Sequence, residues 1–215
     1  IKEDRALASL RNQINDAKKK DGTSTIKIRI KDRTYDVFDA VSTPGTPKSD
    51  FHLIDINGKE IVWISHKDGR TAKDFQQWGG ISERSEPTLA SHSETKAFIE
   101  YLKKNYKDGL PNATTLARKI TDSKLKNMSI YGNQYGSQYG TQNVTLMLQG
   151  DIKLNNVGSY YTITAYHTHN GGEEMKGEYE PVFMAIYKGD RSDYGIRGTR
   201  IVIAPMGCRK ITNMV

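Results

Sequence analysis

The stretch that decides the fold is SDFHLIDINGKEIVWISHKDG, residues 49–69. Asn57-Gly58 is a strong signal for a two-residue hairpin turn, because both central residues of that turn need φ > 0. Directly opposed residues of an antiparallel pair share a face, and so do residues two apart on one strand. The turn makes Asp50 face Ser65, and Lys67 follows Ser65 on the same face. We therefore expect these three side chains to converge at the open end of the hairpin.

The same hairpin carries two more acids and two histidines. Asp55 and Glu60 face each other beside the turn in this register, roughly 17 Å along the strand from Asp50. They are interpreted as solvated charges next to a turn. His52 shares the face of Asp50 and His66 points to the other face; both are interpreted as structural histidines.

Composition limits the class of protein. The chain has 215 residues, 36% hydrophobic and 27% charged, which is typical of a soluble globular protein with one sizeable core. No apolar run is long enough for a membrane helix, and the first residues lack a signal-peptide core, so a cytoplasmic, non-secreted protein is predicted. The single Cys208 excludes an internal disulfide framework. A net charge of +7 favours a polyanionic partner.

The order of periodic segments predicts the fold class. Residues 1–20 read as an amphipathic helix and 26–30 as a half-buried strand, and helices are predicted at 93–109 and 113–126. After the Tyr-Gly-x-Gln repeats of residues 131–142, interpreted as a connector whose tyrosines pack on the body, the pattern is β-rich. This order predicts an α+β (mixed α/β) fold with a central mixed sheet flanked by helices.

An acid at the mouth of a hairpin, with a lysine nearby, suits metal-dependent phosphodiester hydrolysis. Carboxylates hold Mg²⁺, and the ion neutralises developing phosphate charge while an ammonium group orients the attacking water. The plainer alternative is a hairpin with polar ends.

The helix, strands and Asp-hairpin-x-x-Lys order resembles the PD-(D/E)xK superfamily of restriction-endonuclease-like nucleases. Asp50 matches the first acid of that motif, with Ser49 where proline is common, and Lys67 matches the lysine. Ser65 stands where the second acid is expected, so the triplet is Ser-His-Lys. The resemblance implies a restriction-endonuclease-like core over residues 1–130. Residues 131–215 are predicted to form a β-rich portion packed on the same domain.

Some members of the superfamily carry a Ser-x-Lys triplet and recruit a glutamate from elsewhere in the fold. Candidates here are Glu3, Glu83, Glu86 and Glu94, with Glu94 preferred because it begins a helix after the core strands. The resemblance implies Asp50, Ser65, Lys67 and Glu94 as catalytic residues, and Asp50 and Glu94 as ligands of Mg²⁺, which Mn²⁺ can replace. It implies double-stranded DNA as the partner, and a homodimer is the simplest way to cut both strands.

Two other segments are predicted to contact nucleic acid. Gln76 and Gln77 follow the hairpin and combine donor and acceptor atoms. A basic, glycine-containing loop suited to phosphates carries Lys188, Arg191, Arg197 and Arg200, and a solvated turn is the alternative there.

The leading interpretation is a Mg²⁺-dependent DNA endonuclease, and two alternatives stay open. One is a catalytically inactive nucleic-acid-binding or virion structural protein that lost the acid at Ser65. The C-terminal half, dense in Tyr, Asn, Gly and short polar turns, looks similar to bacteriophage proteins. The other is a zinc hydrolase centred on His167 and His169, because H-x-H on a strand puts both imidazoles on one face.

Overall fold

The computed structural model describes residues 2–45, 47–106, 108–110, 115–187, 201–208 and 213–215, with side chains from residue 5 onward in the first helix. The helices are α1 Lys2–Asp21, α2 Pro87–Ala90, α3 Ser93–Asn105 and α4 Ser123–Tyr131. The strands are β1 Ile26–Ile30, β2 Arg33–Val37, β3 Asp39–Ser42, β4 Phe51–Ile54, β5 Glu60–Lys67, β6 Thr115–Lys119, β7 Leu146–Gln149, β8 Lys153–Asn156, β9 Tyr161–Thr164, β10 His167–Asn170, β11 Pro181–Tyr187 and β12 Ile201–Gly207. The predicted α+β class is confirmed.

Contacts divide the chain into two compact units. The first contains residues 1–70 and 134–173, and the second contains residues 71–133 and 174–215. Each unit thus combines segments from both sides of residue 130. The predicted division into 1–130 and 131–215 stays a prediction.

The first unit is built on a five-stranded sheet in the order β10-β7-β5-β4-β3. Its β5–β7 pair is parallel and its other pairs are antiparallel. A four-stranded sheet, in the order β2-β1-β9-β8, belongs to the same unit. The helix α1 contributes Leu10, Ile14 and Ala17 at helical spacing to the core, where they join the buried residues Phe51, Leu53, Val62, Ile64, Leu146 and Leu148 of the larger sheet.

The second unit contains an antiparallel sheet in the order β12-β11-β6. On α3, Phe98 stacks on Phe183 of β11, with ring centroids 5.5 Å apart. The predicted helix at 113–126 is wrong, because residues 115–119 form β6, which pairs with β11. A helix begins only at Ser123, where the Asp122 carboxylate caps it by accepting the Leu125 N–H at 2.8 Å.

The hairpin of β4 and β5 shows the predicted register at its open end. Phe51 pairs with Ile64 and Leu53 with Val62, but a bulge at Ile54 shifts that residue opposite Glu60. The prediction that Asp55 faces Glu60 is therefore wrong. Its cause is local, because the Asp55 carboxylate accepts the backbone N–H groups of residues 57 and 59 and widens the turn.

Within the described part of the chain, no helix combines the length and apolar character needed to cross a bilayer.

Candidate active site

Asp50 is held where the register predicted it, beside the C-terminal end of β5. Its backbone N–H donates to the Ile64 carbonyl at 2.8 Å, which continues the hairpin ladder by one residue. Its carboxylate Oδ2 accepts the backbone N–H of His66 at 2.6 Å. This short charge-assisted bond fixes one carboxylate oxygen on β5. The half-buried side chain is thus oriented by the strand that carries Ser65 and Lys67.

The two faces of the five-stranded sheet differ in chemistry. Ile64 and His66 point to the face covered by α1, whereas Ser65 and Lys67 point to the opposite face. Ser65 is buried, and Asp50 and Lys67 are each half-buried. The structure therefore brings Asp50, Ser65 and Lys67 together at one end of one sheet face, which we call the polar face.

Ser49, which the predicted motif aligns with a common proline, anchors the segment before Asp50. Its hydroxyl donates to the Phe51 carbonyl at 2.9 Å and lies 3.1 Å from the Thr43 hydroxyl. Its backbone N–H donates to the Thr141 carbonyl at 2.9 Å. A buried serine thus supplies through hydrogen bonds the rigidity that proline supplies through its ring.

His52 continues this buried polar chain. Its Nδ1 lies 2.9 Å from Thr43 Oγ1 and 3.3 Å from Glu60 Oε1. Burial lowers the pKa of His52, and the neighbouring Glu60 carboxylate opposes that shift. Glu60, interpreted from sequence as a solvated charge, also accepts the indole N–H of Trp63 at 3.3 Å. It therefore helps to hold the hairpin through two side chains.

His66 lies on the α1 face, as predicted. Its Nε2 is 2.7 Å from the Gly150 carbonyl, and since a carbonyl only accepts, this nitrogen donates. That bond leaves Nδ1 unprotonated in the neutral ring and buried without a hydrogen-bond partner among the described residues. His66 also lines a cavity of about 480 Å³ together with Arg5 and Arg70.

The polar face extends beyond the hairpin to the H-x-H pair. Across β5, β7 and β10, Ser65 is aligned with Met147 and then His169. In the next row Lys67 is aligned with Gln149 and then with the other histidine, so both imidazoles share the face of Asp50. The sequence showed the pair but not this alignment, because it depends on two non-local strand pairings.

The two imidazoles lie against each other, with ring centroids 4.6 Å apart. Burial lowers the pKa of His167. The pKa of His169 falls to about 4, chiefly through burial and then through His167, while the Glu173 carboxylate opposes the shift. Both rings are therefore neutral at pH 7. Among the described residues, no three His, Cys, Asp or Glu side chains converge as metal ligands.

The predicted glutamate ligand lies in the second unit. Glu94 accepts the Thr121 N–H at 2.6 Å and hydroxyl at 2.9 Å through one carboxylate oxygen, and the Asp122 N–H at 3.0 Å through the other. These bonds tie the start of α3 to the segment before α4. Its role as a metal ligand stays a prediction.

The other predicted contacts fall into two groups. Gln76 is half-buried and donates to the Trp78 carbonyl at 2.6 Å, whereas Gln77 is buried with its amide 3.9 Å from the Met175 sulfur. Their assignment to nucleic acid stays a prediction. The residues Lys188, Arg191, Arg197 and Arg200 lie outside the described residues.

Comparison with known proteins finds a similar restriction enzyme. Over 164 residues the chain is 29% identical to the type II restriction enzyme CviJI of Paramecium bursaria Chlorella virus IL3A. The matched segment covers 73% of this chain and 44% of that enzyme, so the chain spans less than half the length of its relative. No family model matches the chain, and no solved structure matches it with significance.

Proposed function

We propose that the protein is a metal-dependent endonuclease that hydrolyses DNA phosphodiester bonds at the open end of the β4–β5 hairpin. The observation that carries the proposal is the hydrogen bond from the His66 N–H to Asp50, which holds an acid beside the Ser-His-Lys triplet. The similarity to a type II restriction enzyme supports a DNA-cleaving hydrolase over other uses of such a hairpin. The Ser-x-Lys form of the PD-(D/E)xK motif is the finer part of the proposal.

The donor set at this end of the sheet is compatible with Mg²⁺ but sparse. Asp50 supplies one carboxylate, and Mg²⁺ in proteins is commonly held by one or two carboxylates together with waters and substrate phosphate oxygens. Such an ion, or Mn²⁺ in its place, supplies charge neutralisation on the phosphate and a more acidic water. A second carboxylate completes the set in this proposal.

The chain's own residues then have separate roles. Asp50 would hold the ion, since the His66 N–H engages only one of its two carboxylate oxygens, Oδ2. The Lys67 ammonium donates to a phosphate oxygen or to the attacking water, since it shares the face of Asp50 and is half-buried. Ser65 offers a neutral hydroxyl where an acid would add charge. In this proposal the buried Ser65 forms the floor of the site.

The catalytically inactive nucleic-acid-binding or virion structural protein stays the alternative to this proposal. Its ground is the sequence itself, in which Ser65 stands where the motif has its second acid. The zinc hydrolase is not carried forward, because the histidine pair lacks the third ligand that a catalytic zinc needs within the described residues.

Incubation of the purified protein with supercoiled plasmid tests both functions. Nicking or linearisation in Mg²⁺ or Mn²⁺ that stops in EDTA supports the endonuclease. Because the recognition sequence is not known, several DNA sources are used. Intact plasmid in every case, with binding that weakens steeply as salt rises, contradicts the endonuclease and supports the silent binding protein.

A further inference from the structure

A cleft lies at the end of the five-stranded sheet where β5 and β7 finish. These two strands are parallel, so the segments that follow them leave the sheet side by side. Together with the first turns of α1 and with Tyr166 they enclose a cavity of about 480 Å³ within the first compact unit. The charged residues of its lining are Arg5 on α1, Asp68 and Arg70 after β5, and Asp151 after β7.

The rim of this cleft is open to solvent. Its floor is formed by His66 and Ile152, which are 5% and 4% exposed. Above the floor, all four charged side chains of the lining are exposed, and so is Tyr166. A large ligand can therefore reach the two guanidinium groups without crossing a buried surface.

Hydrogen bonds hold the walls of the cleft in place. The Gly150 N–H donates to the Lys67 carbonyl at 2.9 Å, and the Gln149 side chain donates to the Asp68 carbonyl at 3.1 Å. Gly150 has a φ of +83°, and a Cβ at that position would lie 3.0 Å from the Cβ of Tyr166. A glycine there lets Tyr166 pack against the end of β7. The rim is thus fixed by the same strand ends that carry Lys67.

The two arginines of the rim are suited to a phosphate group. Arg70 lies over the ring of Tyr166, with its Cζ 5.6 Å from the ring centroid. A guanidinium that stacks on a ring keeps its in-plane N–H donors for other acceptors. Among the residues that the structure describes, neither Arg5 nor Arg70 forms an ion pair with a carboxylate. The planar fork of arginine donors matches the oxygens of phosphate.

The cleft adjoins the proposed cleavage point. Asp50 accepts the backbone N–H of His66, whose ring forms part of the cleft floor. Arg70 is three residues after Lys67, and three residues span at most about 11 Å. One DNA strand advances about 3.4 Å along the helix axis per nucleotide. The cleft opens on the α1 side and Lys67 lies on the other side, so a strand that runs along the end of the sheet passes both.

We propose that Arg5 and Arg70 bind one backbone phosphate of the cleaved DNA strand, one to three nucleotides from the scissile bond. This inference rests on the proposed function. Asp68 and Asp151 line the same cleft and repel a phosphate there, which disfavours a free anion. A duplex held through its other phosphates brings this one to the cleft at a high effective concentration.

The first test uses variants of opposite charge in the same cleft. Binding of a fluorescent DNA duplex of about 30 base pairs is measured in EDTA. Arg5→Gln and Arg70→Gln are each expected to raise the Kd about three- to tenfold, because a charge-assisted hydrogen bond to phosphate is lost. Asp151→Asn is expected to lower the Kd about two- to threefold, because a repulsion is removed. A higher Kd for Asp151→Asn overturns the inference, since that carboxylate would then accept a hydrogen bond from a base.

Two exposed residues of the same compact unit serve as matched controls. Arg29 lies over the ring of Tyr160, with its Cζ 5.5 Å from the ring centroid, which is nearly the arrangement of Arg70, but it lies outside the cleft. Asp36 is also largely exposed. Arg29→Gln and Asp36→Asn measure the long-range effect of one charge, and their Kd values are expected to stay within about twofold of the wild type. Equal changes in the cleft variants and the controls overturn the inference.

Salt dependence separates a phosphate contact from a folding defect. The slope of log Kd against log salt concentration is about 0.9 for each neutralised phosphate. The variant that combines Arg5→Gln and Arg70→Gln is expected to lose about 0.9 from this slope, and to lose it equally on two duplexes of unrelated sequence. A misfolded fraction lowers the amount of active protein and leaves the slope unchanged. An unchanged slope, or a loss of affinity for one sequence alone, overturns the inference.

The proposed function can fail independently. If the wild type binds DNA but leaves all plasmids intact, the endonuclease is contradicted, and the Kd values still decide the role of the cleft. If the wild type cleaves and both arginine variants keep the wild-type Kd, the endonuclease stands and the role of the cleft is refuted. A wild type that neither binds nor cleaves DNA overturns both.

Discussion

The substitution Asp50→Asn distinguishes the structural role of this carboxylate from its proposed catalytic role. The wild-type carboxylate accepts the His66 N–H at 2.6 Å, and a hydrogen bond to a charged group contributes about 1.5–3 kcal/mol. An asparagine oxygen still accepts that N–H but without the charge, so about 1 kcal/mol of the free energy of unfolding is lost. Asp50→Ala loses the whole bond, about 1.5–3 kcal/mol.

These losses of unfolding free energy can be measured in the compact unit that contains Asp50. The chain has two tryptophans, Trp63 on β5 and Trp78 in the second unit. In a Trp78→Phe background, the fluorescence of Trp63 reports urea unfolding of the unit that contains Asp50. Asp36→Asn is the matched control, because Asp36 is largely exposed and its nearest ammonium is 3.9 Å away. Its free energy of unfolding is expected to stay within about 0.5 kcal/mol of the wild type.

Plasmid cleavage completes this test. The Asp50→Asn variant is expected to keep its fold and to lose the proposed metal ligand, so the proposal predicts that cleavage falls by about 100-fold or more. Two results refute the reasoning. An Asp50→Ala protein as stable as the wild type contradicts the structural role of the hydrogen bond, and an Asp50→Asn protein that cleaves at the wild-type rate contradicts the catalytic role.

The remaining predictions concern stability. The pKa of His169 is about 4 in the folded protein and 6.5 in the unfolded chain, so the unfolded chain binds a proton first as pH falls. The urea midpoint is therefore expected to fall as pH drops from 6.5 to 4. A midpoint that does not change with pH contradicts this. Gly171→Ala places a Cβ 2.6 Å from the ring of Tyr139, which is 46% exposed and can rotate away, so the expected cost by urea unfolding is about 0.5–1.5 kcal/mol. Gly140→Ala meets open space and serves as the control, and equal midpoints for the two variants refute the packing argument. Ile14→Ala empties a fully buried position of α1 and is expected to lower the unfolding free energy by about 2–5 kcal/mol, whereas a loss under 0.5 kcal/mol contradicts the position of the helix on the sheet.

The parts of the fold that the sequence predicts correctly are those that depend on local periodicity. The spacing of Leu10 and Ile14 defines α1, and the alternation after the turn places Ser65 and Lys67 on one face. Side chains two residues apart on a strand share a face, whatever the pairing beside the turn. The bulge changes only the pairing of Ile54, and Phe51 still pairs with Ile64 at the open end of the hairpin.

The parts that it misses depend on partners far away in the chain. Leu116 and Ile120 stand at helical spacing, yet residues 115–119 form a strand because β11 pairs with them across more than 60 residues. The alignment of Lys67 with Gln149 likewise depends on two strands about 80 residues apart in sequence, and His167 joins that row only through the pairing of β10 with β7. No local signal carries either pairing.

The most direct measurement of the central claim is plasmid cleavage in Mg²⁺ by Lys67→Ala beside Lys59→Ala. Both lysines belong to the same hairpin, but Lys67 lies at its open end with Asp50 and Lys59 lies at its turn. We expect Lys67→Ala to lose about 100-fold or more of the wild-type rate and Lys59→Ala to stay within about twofold. Equal rates for the two variants, with both proteins folded, would contradict an active site at the open end of the hairpin.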